Sequence, residues 1–463
     1  MNAPASLPPL RPASPVPAPR VDAATLPNGL EVQVVPWPGV PLVGVRLVVR
    51  GGFSDDAPGD AGLARLLAAS LREGTATRSG GELADLAQEA GGDLSAGAGP
   101  DSLTIAASGL APRLPLLLDL VADVARRPAF PADGVARVKD LAREELETSE
   151  SEPFFLAVRA FARAIYGRHP YATVSPTAPS IDAVVPEVLA AEAARRLRPE
   201  RALLLVAGDV DPARAHAEAA RLLGGWSGAG AAPAPVAPPV APEGPRRIEV
   251  LDRPGSVQTN LLVGNLGFPR TDPDAYPLEL AMTVYGGAFT SRLVQNLREE
   301  KGYTYSPGAG ASWLAGCGTV RSFAAVRNEV TGAALNEILY EMERMTTTEP
   351  TDEEMERAFR RDAGSLAISL QTAAGVADEL ARLWVLGLPP EEIGREVEAL
   401  ARVTKGDVRR AARRVFGTGA ARIVAVGDAE AIREELATFG DVVPGGAGVR
   451  SSAAGGRSRA SRR

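Results

Sequence analysis

The chain is poor in the residues on which most enzyme chemistries depend. Its single cysteine, Cys317, excludes an intramolecular disulfide and any cysteine-cluster zinc site, and reads as a small buried residue. Two histidines, His169 and His216, leave almost no carriers for imidazole chemistry. Neither has an Asp, Ser or Cys at a spacing that suggests a triad. His169 sits in the turn-like Arg168-His-Pro-Tyr171, where an imidazole serves the backbone. His216 falls on the polar side of an amphipathic helix ending at Leu223 and reads as a surface residue. The three lysines, Lys139, Lys301 and Lys405, stand outside any G-x-x-x-x-G-K context, and no G-x-G-x-x-G opens a helix, so nucleotide hydrolysis is not expected. G-x-S-x-G and S-x-x-K are missing as well. What remains are carboxylates, arginines and tyrosines, which suit binding better than bond-breaking.

Basic excess is also lacking. Fifty Lys and Arg against 57 Asp and Glu give a net charge of −7, with no basic patch inside the expected folded body, so no nucleic-acid partner is expected. No apolar run approaches the ~18 residues of a membrane span. Prolines interrupt every possible signal-peptide core near the N-terminus, and the expected location is cytoplasmic.

Glycine and proline are plentiful, at 48 and 39 residues, and they mark the organisation. Seven prolines in the first twenty residues make 1–25 a disordered lead-in. A Pro/Ala/Gly stretch, Ser227–Pro245, reads as a spacer spanning 227–246, and a basic Gly/Ser/Ala-rich tail occupies 441–463. Between them lie two domains, 26–226 and 247–440.

These domains read as copies. The strand-turn Arg201-Ala-Leu-Leu-Leu-Val-Ala-Gly-Asp209 is repeated as Ala421-Arg-Ile-Val-Ala-Val-Gly-Asp428, an offset of 219 residues between the Gly-Asp pairs. The same offset carries Leu42–Val49 onto Leu261–Gly267. Each copy holds an early strand pair, then helices such as Gly62–Arg72 and Thr290–Glu300, with the Gly-Asp strand last. The expected fold class is α+β, each copy a largely antiparallel sheet with helices on one face.

At Gly62-Leu-Ala-Arg-Leu-Leu-Ala-Ala-Ser-Leu-Arg-Glu-Gly-Thr-Ala-Thr-Arg-Ser79 the chain resembles the pitrilysin/insulinase family of zinc peptidases, in its mitochondrial-processing-peptidase branch. The resemblance implies the LuxS/MPP-like metallohydrolase fold. Relatives carry H-x-x-E-H on this helix, two zinc-binding histidines and a water-activating glutamate. Here Arg65 and Ala69 stand where the resemblance places the histidines, and Ala68 where it places the glutamate. Leu63, Leu66, Leu67 and Leu71 keep the helix's apolar stripe. The third ligand position falls on Glu145, within Glu144-Glu-Leu-Glu-Thr-Ser-Glu-Ser-Glu-Pro153. One carboxylate does not make a zinc site, so no metal is expected on this chain, and Arg65 is expected to pair with Glu145.

A second family segment is intact. Gly286-Gly-Ala-Phe-Thr-Ser-Arg-Leu-Val-Gln-Asn-Leu-Arg-Glu-Glu-Lys-Gly-Tyr-Thr-Tyr-Ser306 resembles the C-terminal stretch whose arginine and tyrosine, here Arg298 and Tyr305, help relatives hold substrate backbone and stabilise the scissile carbonyl. Gly286, Gly287 and Ala288 are expected to let backbones approach closely. The resemblance therefore implies a zinc-less subunit that forms a heterodimer with an H-x-x-E-H-bearing partner. Zinc is expected in that partner, and the substrates are peptides added to a sheet edge. The other class it admits is a non-proteolytic scaffold subunit of a larger complex.

Overall fold

The computed structural model describes residues 17–228, 234 and 236–445. Its first sheet is built from β1 (Asp22–Thr25), β2 (Glu31–Pro36), β3 (Leu42–Arg50), β4 (Leu94–Ala98), β5 (Ser102–Leu110) and β6 (Ala202–Gly208). The helices of that half are α1 (Leu63–Ser70), α2 (Gly80–Glu89), α3 (Leu114–Arg126), α4 (Ala132–Ser151), α5 (Pro153–Tyr166), α6 (Ala178–Ala183), α7 (Pro186–Arg196) and α8 (Pro212–Leu223). The second sheet contains β7 (Arg247–Asp252), β8 (Gln258–Gly267), β9 (Gly308–Leu314), β10 (Cys317–Arg327), β11 (Arg422–Gly427) and β12 (Asp441–Pro444). With it come α9 (Ala275–Met282), α10 (Arg292–Val294), α11 (Thr331–Thr347), α12 (Asp352–Ser369), α13 (Ala373–Val385), α14 (Glu392–Arg402), α15 (Lys405–Val415) and α16 (Ala429–Leu436).

Strand order is β1-β2-β6-β3-β5-β4 in one sheet and β12-β7-β11-β8-β10-β9 in the other, so the halves repeat one α+β topology. Pairing is antiparallel except for β2 with β6, β7 with β11, and β12 with β7. The outermost strand beside the first pair differs in origin. β1 precedes β2 and runs antiparallel to it, whereas β12 follows the last helix and runs parallel to β7. Both strands lie in segments expected to be disordered. Residues 22–25 and 441–444 are ordered because each completes the backbone hydrogen bonding of an otherwise open edge. The remainder of the lead-in up to residue 16, and of the tail from 446, lies outside the described residues.

The register corrects the uniform repeat. Gly44 faces Ala207, and in the second sheet Asn260 faces Val426, so β3 maps onto β8 with an offset of 216 while the Gly-Asp strands keep 219. Burial explains why. Leu42 and Gln258 are both exposed and begin their strands, followed by the buried Val43 and Thr259. An offset of 219 would instead match the exposed Leu42 to the buried Leu261, and an odd slip turns a strand's apolar set to the wrong face.

Each half has its own core between its sheet and its own helices, and the two halves then cover each other. The other face of the first sheet, with Val35, Val48, Leu203, Leu205 and Ala207, packs against Leu366, Leu380, Trp384 and Ile393 from α12–α14 of the second half. The corresponding face of the second sheet, with Leu262, Val424 and Val426, is covered by Ala157, Phe161 and Ile165 of α5. This exchange is why the central strands β6 and β11 are buried at every residue and read as apolar runs, broken only by Arg422 at the start of β11. Arg50 ties the exchange down, its guanidinium carbon 4.0 Å from the centre of the Trp384 ring and its Nη2 donating to the Trp384 carbonyl at 2.9 Å.

The spacer is clamped where it is described. His169 Nε2 lies 2.7 Å from the Ala237 carbonyl, and Arg422 donates to the carbonyls of Glu243 and Pro245. His169 thus serves the backbone, its Nδ1 also accepting from the Tyr171 N–H. His216 is less of a surface residue than expected. Only 19% of its side chain is exposed, and Nε2 reaches Asp22 of β1 at 2.9 Å. Among the described residues no helix is long and apolar enough to cross a membrane.

Candidate functional site

The helix bearing the degenerate zinc motif is held at its start by a buried ion pair. Gly62 has φ +80°, and a Cβ there would stand 2.5 Å from the Pro176 ring, so only glycine can open α1 in this place. Asp56 Oδ1 then accepts from the Ala64 N–H at 3.1 Å and from Arg196 Nη2 at 2.7 Å, satisfying the positive end of the helix. Arg196, 1% exposed, also donates to the Gly52 carbonyl and to Glu192. Burial pushes the Asp56 carboxyl up to about 6 despite its arginine. Spacing alone gave no sign of this Asp56–Arg196 anchor, since the two residues are joined only by the fold.

From that start the helix sorts its residues by face. Leu63, Leu66, Leu67 and Leu71 enter the core as expected. Ala68 goes with them and is 1% exposed, so it offers no group to a site. Arg65 and Ala69 face outward and, with Glu145 of α4, line a pocket of about 360 Å³ that is also walled by Leu141, Phe155 and Pro176. The structure therefore brings three of the four motif positions together. The expected Arg65–Glu145 ion pair is not made. Arg65 instead rests over the Phe53 ring at 4.9 Å, with Asp56 and Glu145 acting on it only through space. A zinc ion does not fit this donor set: one carboxylate, a methyl group and a guanidinium cannot supply three ligands, and the cation would repel the metal. Among the described residues no three His, Cys, Asp or Glu side chains converge as a metal site would require.

Arg298 and Tyr305 meet at a second place. The helix expected over Thr290–Glu300 is α10 followed by a π-helical turn, Gln295–Glu300, closed by the Lys301 N–H on the Asn296 carbonyl at 3.0 Å. Such wide turns recur at functional sites. The turn presents Arg298 to two rings. Its guanidinium carbon lies 4.6 Å from the centre of Phe289 and 4.6 Å from the centre of Tyr305. Glu299 also approaches it, at 3.3 Å. Both rings face solvent, Phe289 65% and Tyr305 79% exposed. The close approach expected at Gly286 is present, since a Cβ there would stand 2.6 Å from that of Ala309 on β9. Phe289 lay inside the family-like segment without being singled out; an aromatic three residues before a helical arginine is too common a pattern to signal a stack.

The two places share no lining residue. Arg298 and Tyr305 stand just ahead of β9, an edge strand of the second sheet, while Arg65 and Glu145 lie beside the first sheet, one of whose edge strands is β4.

Two similar α+β domains, a motif helix stripped of metal donors and an intact arginine-tyrosine pair define a peptidase-like protein of the inactive type. Residues 37–173 match the model of the insulinase family, peptidase family M16, and residues 184–361 match that of the M16 peptidase inactive domain, so the chain belongs to the M16 insulinase family. It is 30% identical over 313 residues to an uncharacterized zinc protease of Mycobacterium leprae (strain TN), spanning 65% of this chain and 68% of that protein. It is 26% identical over 410 residues to one of Streptomyces coelicolor (strain ATCC BAA-471), spanning 86% and 87%. A solved peptidase M16 inactive domain from Pseudomonas fluorescens superposes with a TM-score of 0.82 at 27% identity, covering 88% of this chain and 98% of that one. A Helicobacter pylori protease at 18% identity shares the fold, with a TM-score of 0.82 over 89% of this chain and 100% of its own.

Proposed function

We propose that this chain is the zinc-less subunit of a two-subunit peptide-degrading or peptide-processing metallopeptidase, and that an H-x-x-E-H-bearing partner supplies the metal and the water-activating glutamate. The observation that carries the reading is an asymmetry. The metal positions are Arg65, Ala68 and Ala69, while Arg298 and Tyr305 are stacked together in the open. A structural pair would be buried against its own domain; this one is available to another molecule.

In this reading a peptide lies along an unpaired strand edge, where backbone hydrogen bonds give affinity with little demand on sequence. The Tyr305 hydroxyl and the Arg298 guanidinium then donate to the peptide carbonyl as it gains negative charge, which is where such donors accelerate reaction most. Phe289 and Tyr305 hold the guanidinium in place beforehand, so little ordering is left for the moment of reaction.

The test is to express this chain with a family member that carries an intact H-x-x-E-H and to assay peptide hydrolysis by each chain alone and by both. The reading expects a stable complex whose activity exceeds that of either chain. A complex that assembles without gain in activity would instead assign the chain a scaffold role, and failure to associate would remove the partner.

A further inference from the structure

The cleft between the two halves contains a second feature that the arginine-tyrosine pair does not use. A pocket of about 200 Å³ is walled on one side by Phe53 and Arg65, on another by Phe161, Tyr166 and Tyr171, and on the third by the β9–β10 hairpin. Along β10, Thr319, Arg321 and Phe323 alternate with the core-facing Val320, Ser322 and Ala324, so Arg321 points to the face covered by α5. Arg321 is half-buried and, among the described residues, forms no ion pair with a carboxylate, the Tyr166 phenol being the titratable group that acts on it. The residue paired with it across the hairpin is Gly310, beside which nothing stands within 4 Å. Space is thus left across the hairpin from Arg321. Arg65 enters the same pocket from the other half, likewise without a direct ion pair.

The tyrosines and Thr319 here are already engaged. Tyr171 donates to Asp101 at 2.5 Å, Asp101 also accepts from the Ala315 N–H, and the Tyr166 and Thr319 hydroxyls share a hydrogen bond. The two arginines are the charged groups of the lining. Partial burial pushes both guanidinium groups down from their ordinary range, Arg65 against the opposing pull of Asp56 and Glu145 through space and Arg321 against that of the Tyr166 phenol. Two buried arginines, Arg196 and Arg292, are by contrast held in direct ion pairs, with Asp56 and with Glu354.

We infer that this cleft binds a peptide carboxylate, either a C-terminus or an acidic side chain, between Arg65 of the first half and Arg321 of the second. The aromatic walls accept the apolar part of the residue that bears it, and the two guanidinium groups accept its oxygens. The inference deepens the peptide-binding reading and rests on it. It also gives Arg65 a use at the position where a relative's metal ligand would stand.

The experiment is calorimetric titration of the full chain with three N-acetylated hexapeptides of one neutral sequence: a free acid, its C-terminal amide, and an amide with one internal glutamate. The free acid or the glutamate peptide should bind at least about tenfold tighter than the neutral amide, and which of them does so names the source of the carboxylate. Arg321→Gln and Arg65→Gln should each abolish that preference and leave the neutral amide's affinity unchanged, with thermal melting no lower than the parent's. Gly310→Leu, which keeps both charges and fills the space beside Arg321, should have the same effect. Equal binding of all three peptides overturns the carboxylate site and leaves peptide binding standing. A preference that survives the three variants overturns its location. Binding of none overturns the site, and hydrolysis by the reconstituted pair then decides the peptide reading separately.

Discussion

Arg298 lies over the ring of Tyr305, guanidinium carbon 4.6 Å from ring centre, and at the same 4.6 Å from the ring centre of Phe289. The arrangement costs the fold little to lose, because Tyr305 is 79% exposed. An exposed cation–π contact is worth roughly 0.5–1 kcal/mol. Tyr305→Ala should therefore lower the unfolding free energy in urea by about 1 kcal/mol or less. A loss of about 3 kcal/mol would mark the tyrosine as structural.

The opposite holds for the anchor of α1. Arg196 is 1% exposed and Asp56 3%, so removing either leaves a buried charge without its partner. Arg196→Ala should destabilise the protein by about 3–5 kcal/mol, read by the same urea titration.

An acidic pair in the second half, Glu396 buried and Glu279 partly so, is expected to make stability depend on pH. Glu396 of α14 and Glu279 of α9 share Arg270, at 3.8 and 3.6 Å, with Glu379 and Arg382 of α13 acting on Glu396 and Asp362 of α12 acting on Glu279. Burial, then Glu279, pushes Glu396 up to about 7. The folded state thus keeps a proton that the unfolded chain releases near pH 4.5, and stability falls as pH rises from about 4.5 to 7. Glu396→Gln should be more stable than the parent at pH 8, by about 1–3 kcal/mol, with the gain vanishing near pH 4. Thermal melts across that range check the sign.

The metal positions lead to a third kind of test. With Glu145 the one donor among Arg65, Ala68, Ala69 and Glu145, the dialysed chain should retain no stoichiometric zinc and should not hydrolyse peptides alone. Elemental analysis with a chelator-controlled peptide assay is the measurement; one tightly held zinc per chain would contradict the assignment.

The repeat was legible because the paired apolar strands ending at Gly208-Asp209 and Gly427-Asp428 are long and, Arg422 apart, unbroken. The family-like segments put Arg65 and Glu145 on helices, as α1 and α4 are, whereas Arg298 falls on a π-helical turn and Tyr305 in the loop before β9. The exchange of cover between the halves was not legible. An apolar stripe on α5 or α13 states that a face is buried, not which sheet buries it, and contacts between distant segments leave no periodic mark. For the same reason the three-residue register change in β8, the strands at 22–25 and 441–444 and the Arg65–Arg321 cleft emerged only from tertiary packing.

The central claim is that Arg298 and Tyr305 act on a peptide bond cut by a partner's metal. It is tested most directly by turnover of the reconstituted pair with Arg298→Ala or Tyr305→Phe in this chain, assembly being checked by gel filtration. The account predicts intact complexes with kcat lowered about 100- to 1000-fold, the loss typical of one deleted oxyanion donor. Turnover within about twofold of the parent for both substitutions would contradict it and leave a scaffold in its place.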